Sequence, residues 1–174
     1  INNFNRTILH SPISDNSDKE TLQLAIKHGF SMTSDLFGDT IFHISYKPNA
    51  LKWALENNLF DINSRNKIGC TIFHVQPYYF LHSYDSLKKY IPKELLSDTQ
   101  NDCGFTIIHS LSAAVFNGYI KKDEIPECIK KAIELGVEPN TPDNLGNTFL
   151  NNLNEYECIP EELLGKIEKA LGIK

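Results

Sequence analysis

The sequence lacks the short motifs that mark common active sites. Its 174 residues contain no Gly-x-Ser-x-Gly elbow, no phosphate-binding glycine loop, no His-Glu-x-x-His run and no Cys-x-x-Cys pair. The four cysteines (Cys70, Cys103, Cys128 and Cys158) have no short spacing to each other or to histidine, so zinc ligation is not expected. We predict no catalytic residue, no cofactor and no metal. Free thiols in a reducing compartment, and hence a cytoplasmic location, are the expectation.

Charge and hydrophobic runs argue against two further classes of protein, those that bind nucleic acids and those that span a membrane. The net charge is −5 with a pI near 5.7, so the chain has no excess of Lys and Arg for binding DNA or RNA. No apolar run approaches the roughly 20 residues that span a membrane. With 41% hydrophobic residues, the composition suits one globular unit with a core of its own.

What the sequence does contain is a recurring phrase of Thr, two apolar residues and His. It stands at residues 7–10, 40–43, 71–74 and 106–109, with a fifth copy at 148–151 that ends in Asn. The Thr-to-Thr spacings are 33, 31, 35 and 42 residues, which is typical of structural repeats. Gly precedes Thr by two residues in every copy but the first, which has Asn5, and Asp or Asn precedes that position by three.

A helical pattern follows each copy of the phrase, and a second one appears ten to twenty residues later. The second patterns have i, i+3, i+4 spacing, which indicates a helix with one buried stripe. They are Leu22, Ala25, Ile26; Leu51, Ala54, Leu55; Leu87, Tyr90, Ile91; Ile129, Ala132, Ile133; and Leu164, Ile167, Leu171. Helix stops follow several of them, at Gly29, Asn57 with Asn58, Pro92 and Gly136.

This arrangement resembles the ankyrin repeat, a helix-turn-helix followed by a hairpin-like loop of about 33 residues in all. Residues 136–143, Gly-Val-Glu-Pro-Asn-Thr-Pro-Asp, are closest to the family's link between repeats. The resemblance implies an all-α solenoid in a single domain over 1–174, with repeats near 1–34, 35–65, 66–100, 101–142 and 143–174. The chain departs from the family in having Ile or Phe where the family has Pro after Thr.

The repeated residues have structural roles that follow from their chemistry. Gly permits the left-handed turn before the helix, and Thr caps the helix start. The resemblance implies that His hydrogen-bonds Thr and the neighbouring loop. The alternative is that His10, His43, His74 and His109 bind metal or act as bases. Helix packing separates successive repeats by about 10 Å, so two of these histidines cannot share a zinc ion at a bond length of about 2.1 Å.

The resemblance places a partner surface on the loop tips and on the exposed side of each first helix. Apolar residues at the tips and aromatic or small residues after His are the candidates. They are Phe37, Ile68 and Leu145 at the tips, and Tyr46, Tyr78, Tyr79, Ala113 and Phe116 on the first helices. Phe80 is predicted to lie in the core. The segment from Pro160, with its acids followed by alternating Glu and Lys, is predicted to be a C-terminal capping helix.

The favoured hypothesis is a monomeric, non-catalytic module that binds another protein through its concave face. Its composition resembles that of ankyrin proteins with which intracellular bacteria or large DNA viruses engage host proteins, so a host cytosol is one expected location. An alternative is the targeting part of a larger enzyme whose catalytic domain lies outside residues 1–174. The N-terminal repeat shows no cap, so preceding repeats or a preceding domain belong to the same hypothesis. A third reading is a catalytic or small-molecule site on the repeat surface, which requires a deep polar pocket.

Overall fold

The structure is a computed structural model that describes residues 2–10, 18–30, 32–45, 47–92, 94–97, 100–156 and 159–173. Within these ranges all regular structure is helical, which confirms the predicted all-α class. The α-helices are α1 (Asp18–Lys27), α2 (Ile41–Ile44), α3 (Pro48–Glu56), α4 (Ile72–Val75), α5 (Pro77–Leu87), α6 (Glu94–Ser97), α7 (Ile107–Phe116), α8 (Ile125–Glu134), α9 (Phe149–Tyr156) and α10 (Glu161–Ala170). Short 3₁₀ helices lie at Ile8–His10, Lys88–Tyr90 and Lys122–Glu124.

The helices begin and end where the sequence supplies the chemistry for it. Thr40, Thr71 and Thr106 are the N-cap residues of α2, α4 and α7, as predicted. Pro48 and Pro77 occupy the first turn of α3 and α5, where proline's missing N–H is no loss. Several helices end in a left-handed residue whose successor's amide reaches back along the last turn, as in the bond from the Phe30 amide to the Ala25 carbonyl.

The helices pack in two rows. One row, here called the inner row, contains α2, α4, α7 and α9, and each of these helices contacts the next. The outer row contains α1, α3, α5, α8 and α10, again with each in contact with its successor. The inner and outer rows touch where α5 meets α4 and α7, and where α7 meets α8.

The core lies between the two rows. Its largest fully buried side chains include Phe42 and Phe73 from the inner row and Phe80 from the outer row, so the core position predicted for Phe80 is confirmed. The rings of Phe73 and Phe80 pack with their centroids 4.2 Å apart. The outer helices contribute one buried stripe each, such as Ile125, Cys128, Ile129 and Ala132 of α8. This stripe pattern is the reason that the sequence periodicity identified these helices.

One predicted assignment is wrong. The sequence pattern placed Tyr78 and Tyr79 on the first helix of the third repeat and the second helix at residues 87–91. In the structure α4 ends at Val75, and Tyr78 and Tyr79 lie at the start of the outer helix α5. The reason is Pro77, which disfavours helical geometry in Gln76, the residue before it; Gln76 has φ −128° and ψ 51°. Leu87 therefore ends α5, and Tyr90 lies in a 3₁₀ turn.

No helix in the described ranges combines the length and the apolar character needed to cross a membrane.

Candidate binding surface

Five turns of the same construction occur along the chain, of which the first precedes the 3₁₀ helix Ile8–His10 and the other four precede the inner-row helices. They are residues 2–6, 35–39, 66–70, 101–105 and 143–147, here called turns 1 to 5. In each one the first residue, Asp or Asn, accepts hydrogen bonds through Oδ1 from the amides two and four residues later. Its own amide bonds to the carbonyl of the fifth residue. The repeated Asp or Asn is therefore the residue that closes the turn.

The turns are joined to each other through their backbones. The amide of the second residue of each turn donates to the carbonyl of the third residue of the turn before, as in the 2.9 Å bond from Lys67 to Phe37 and the 3.2 Å bond from Asp102 to Ile68. Gly lies beside this junction in turns 2 to 4. A Cβ on Gly104, whose φ is +81°, would come within 2.7 Å of the Asn144 amide nitrogen. The absence of a side chain therefore permits both the left-handed turn and the close approach of the next turn.

Side chains brace the same junctions. Arg65 donates through Nη1 to the Gly69 carbonyl at 2.7 Å and to the Gln100 carbonyl of the next turn segment at 2.8 Å. Gln100 repeats the arrangement one turn later, with bonds of 2.7 Å to the Gly104 carbonyl and 3.3 Å to the Pro142 carbonyl. The turns are thereby linked into a continuous row whose backbone is already hydrogen-bonded.

The repeated histidines connect each turn to the one that follows. The amide of Thr donates to Nδ1 of the His three residues later, at 3.2 Å in three copies and 3.0 Å in the first. Nε2 must then carry the proton, and it lies 3.0, 2.8 and 3.2 Å from the carbonyl oxygens of Cys70, Phe105 and Asn147 for His43, His74 and His109. The hydrogen bonds to Thr and to the loop that the resemblance implies are confirmed.

Both ring nitrogens of His43, His74 and His109 are therefore used inside the protein. Burial lowers the pKa of His43 and of His109, although each carbonyl bond opposes the shift. Among the described residues, no group of three or more His, Cys, Asp or Glu side chains is arranged to hold a metal ion. These histidines act as neutral connectors of the turns.

Two buried carboxylates belong to the same construction. Burial works against the charge of Asp35, but the hydrogen bond from Arg6 at 2.8 Å and the amides of Phe37 and Asp39 outweigh it and hold the pKa of Asp35 below its usual value. Burial likewise opposes ionisation of Asp143. The amides of Asn147 and Leu145 and the side chain of Asn152 again make its pKa low. The hydrogen bonds that close turns 2 and 5 therefore account for the burial and the low pKa of both carboxylates.

The third residue of every turn points an exposed side chain away from the hydrogen-bonded backbone. These five residues, here called the tip row, are Phe4, Phe37, Ile68, Cys103 and Leu145. Phe37, Ile68 and Leu145 are 52%, 58% and 87% exposed, so all three predicted tips are exposed, at the same position of turns that are linked through their backbones. The sequence register also places Cys103 at a tip, although Cys103 was not among the predicted partner residues. The sequence interpretation did not include Phe4, which stacks on Phe37 with ring centroids 6.2 Å apart.

A second apolar surface lies near the end of α4, which is shorter than its neighbour α7. Ala113 and Phe116 of α7 are exposed, as is Tyr119 just after the helix, and Val75 at the end of α4 is 38% exposed. Tyr78 lies half-buried near Val75 and Tyr119, and its hydroxyl donates to Glu124 at 3.3 Å. Of the predicted first-helix candidates, Ala113 and Phe116 are therefore exposed on α7, and Tyr78 is half-buried on α5, which packs against α7. Tyr46 and the side chain of Tyr79 lie outside what the structure describes.

The concavities at these places are small. A cavity of about 10 Å³ lies between Val75, Tyr78, Ala114 and Tyr119, which is no more than the volume of one water. A larger cavity of about 240 Å³ opens between α5 and α8 in the outer row, lined by Leu81, His82, Asp85, Glu127, Cys128 and Lys131. It lies below the 300–1,000 Å³ that is usual for small-molecule sites.

Burial makes the buried thiols poor nucleophiles, including Cys128, which lines that cavity. Burial, with a smaller contribution from the charges of Glu124 and Glu127, raises the pKa of Cys128 to about 11. Burial also raises the pKa of Cys70. The three described cysteines are free, and among them Cys103 is the exposed one. A protonated thiol at neutral pH is a poor nucleophile.

Comparison with the models of known protein families gives no match for this chain, and comparison with curated proteins gives none either.

Proposed function

We propose that the chain is a divergent ankyrin-type repeat scaffold that binds another protein through its tip row and has no chemistry of its own. Three features support the family assignment: the five turns, the Thr–His connectors and the two rows of helices. The repeat length of 31 to 42 residues agrees with it. In such an array each unit contacts only its neighbours, which leaves one long side free for a partner.

The observation that carries the proposal is the exposure of apolar side chains at one position of all five turns. The turn backbone closes through Asp or Asn and through the next turn, so the tip side chain is not needed to hold it. Apart from the stacking of Phe4 on Phe37, burial in the fold does not account for these apolar side chains, whereas contiguous exposed apolar residues commonly mark protein interaction sites. The apolar surface at Val75, Ala113, Phe116 and Tyr119 provides further contact area of the same kind.

The free thiols of Cys70, Cys103 and Cys128 support the proposed reducing, cytoplasmic setting. The partner proposed here is a protein, and the scaffold is proposed to act as a monomer. A host protein is the candidate if the chain is an effector.

The test uses Cys103, which lies in the tip row. A thiol-reactive photo-crosslinker is attached to Cys103 in a Cys158→Ser background, and proteins captured from cell extract are identified by mass spectrometry. The same experiment is run with Phe37→Ser/Ile68→Ser and with a matched control, Phe30→Ser/Leu24→Ser, whose side chains are 45% and 56% exposed away from the tip row. We expect capture of a defined protein by wild type and by the control, and its loss from the tip-row variant. Equal capture by both variants contradicts the proposal.

A further inference from the structure

The three histidine connectors share one kind of acceptor. Each imidazole Nε2 reaches the carbonyl of the fifth residue of the turn that follows, which is Cys70, Phe105 or Asn147. That carbonyl also accepts the amide that closes its own turn, at 2.8 to 3.0 Å. A carbonyl oxygen has two lone pairs, so it accepts both bonds. The connector is therefore a repeated bond whose acceptor is fixed by the turn register.

His10, in the first copy of the phrase, does not make this bond. Its Nδ1 accepts the Thr7 amide at 3.0 Å, so its Nε2 carries the proton as in the other copies. The residue is 3% exposed, and no described residue accepts a hydrogen bond from Nε2. By register the acceptor is the carbonyl of Asp39, the fifth residue of turn 2, which accepts the Asp35 amide at 2.9 Å. A buried donor without an acceptor is costly, so a position that brings Nε2 to this carbonyl is favoured.

The first repeat is attached to the second at its turn rather than through its histidine. Arg6 donates through Nε to Asp35 at 2.8 Å, and the Leu36 amide donates to the Phe4 carbonyl at 2.9 Å. His10 lies at the end of a 3₁₀ helix of three residues, whereas the other three histidines lie in α-helices. This short helix packs against α2. The contact between its histidine and the last residue of turn 2 can therefore open and close while the two turns stay attached.

We infer that the first repeat has two positions relative to turn 2. The open one is seen in the structure, and in the closed one His10 Nε2 donates to the Asp39 carbonyl. Turns 3 to 5 each accept an imidazole bond and keep one position, whereas turn 2 accepts none from a described histidine in the open position. The switch therefore lies at the junction of the first two repeats.

The two positions differ at the tip row. Turn 1 is bonded to Asp35 and Leu36 at the start of turn 2, and closure adds a bond at Asp39, its last residue. Phe37 lies between these attachments, so closure changes how it stacks on Phe4. These two tips form an adjustable end of the tip row. The inference rests on the proposed function and names its regulation, because a protein bound at this end selects the position that fits it.

The test is NMR spectroscopy of the ¹⁵N-labelled full chain at pH 7.5, and it needs no partner. We expect sharp, slowly exchanging Nε2 proton signals from the three connected histidines and a broadened signal from His10. ¹⁵N relaxation dispersion, which detects exchange on the microsecond-to-millisecond scale, is expected at the amides of 35–39 and absent at those of 66–70 and 101–105. No dispersion at 35–39, or dispersion of equal size in all three turns, overturns the two positions.

Two variants assign the exchange to the histidine. His10→Asn keeps an acceptor for the Thr7 amide, as Asn151 does at turn 5, but has no Nε2 to donate, so the dispersion at 35–39 should disappear. The matched control, His43→Asn, removes a connector that is already closed and should leave that dispersion in place. Dispersion that persists in His10→Asn overturns the inference, and the wild-type spectra decide it if either variant fails to fold.

The proposed function is tested separately. Its crosslinking experiment starts from Cys103 in turn 4, which accepts the bond from His74 and lies outside the adjustable end. If the dispersion is absent but capture still depends on the tip row, the two positions are wrong and the binding function stands. If the dispersion is found but capture does not depend on the tip row, the binding function falls, and with it the regulatory role of the switch.

Discussion

The inner turns, 2 to 4, and the last turn, 5, are built from the same residues but under different constraints. In the inner turns a Cβ on Gly38, Gly69 or Gly104 would collide with the turn that follows, whereas a Cβ on Gly146 of turn 5 would have no atom of the described residues within 4 Å. The inner turns are followed by His, whose Nε2 reaches the next turn, and turn 5 is followed by Asn151. Asn151 still accepts the Thr148 amide at 2.9 Å, so the bond that remains is the local one.

The difference shows that part of each repeat serves its neighbour. The Asp or Asn that closes the turn and the Thr that begins the helix are kept in all five copies, because their bonds lie within the repeat. After turn 5, which no further described turn follows, the shorter amide of Asn151 takes the place of the imidazole. Turn 1 is intermediate: Asn5 takes the left-handed position with φ 61°, and the buried Nε2 of His10 has no hydrogen-bond partner among the described residues.

The largest effect is expected from giving an inner glycine a side chain. Gly104→Ala places a Cβ at φ +81°, which costs about 1–2 kcal/mol, and forces the Asn144 backbone to move, which adds about 1–3 kcal/mol. Gly146→Ala at φ +86° carries only the first penalty. Urea unfolding followed by circular dichroism compares the two. Similar losses in both variants would show that the close approach of the turns does not limit stability.

A smaller effect is expected from shortening an inner histidine to the residue found at the last turn. His109→Asn keeps an acceptor for the Thr106 amide but removes the bond to the Asn147 carbonyl, so the free energy of unfolding should fall by about 1–3 kcal/mol. The reverse change, Asn151→His, should alter it by less than about 0.5 kcal/mol, because there is no described carbonyl for its Nε2 to reach. A clear gain in the free energy of unfolding from Asn151→His would contradict the explanation that the imidazole serves to bind the turn that follows.

Local features of the fold could be predicted from the sequence because they depend on neighbouring residues. The Thr caps, the turn-closing Asp and Asn, and the outer helices with one buried stripe all follow from spacing within a single repeat. The length of the inner helices was misjudged at α4, where the repeat pattern was given more weight than Pro77. The local rule for the residue before proline was sufficient to end the helix at Val75.

The candidate site could be predicted only in part, because its geometry depends on residues far apart in sequence. The tips Phe37, Ile68 and Leu145 follow from the turn register, and Phe4 follows from the same register once it is extended to the first copy, where Asn5 takes the place of Gly. The bond between Tyr78 and Glu124 joins residues 46 positions apart, and no spacing rule indicates it. The same holds for the cavity between α5 and α8, whose walls come from two repeats.

Acid should weaken the connections made by the inner histidines. Because the folded-state pKa values of His43 and His109 lie below the usual 6.5, the unfolded chain binds protons first as the pH falls. The contribution of these two histidines to the free energy of unfolding is therefore fully present above about pH 6.5. It declines as the pH falls from there through their folded-state pKa values. Asp35 and Asp143 have lowered pKa values, so their contribution is fully present above about pH 4 and is lost as the pH falls from there through the folded-state pKa values.

The measurement is the urea midpoint at pH 7.5, 6.5, 5.5 and 5.0. We expect a fall below pH 6.5 in the wild type and a smaller one in His43→Asn/His109→Asn, in which the two titrating rings are absent. An unchanged midpoint down to pH 5.0 would mean that these rings do not couple protonation to folding. A fall of equal size in the double variant would place the titrating groups elsewhere in the chain.

The smallest effect is expected at the tips, and it separates the tip row from the rest of each turn. Ile68→Ser in an inner turn and Leu145→Ser in the last turn remove exposed side chains, so each should change the free energy of unfolding by less than about 0.5 kcal/mol. Ile72, only four residues after Ile68, is fully buried, and Ile72→Ala should lose about 2–5 kcal/mol in the same assay. If Ile68→Ser approached the loss at Ile72, its side chain would be needed for the fold. The exposure of the tips would then no longer point to a partner, because stability alone would account for the apolar residue.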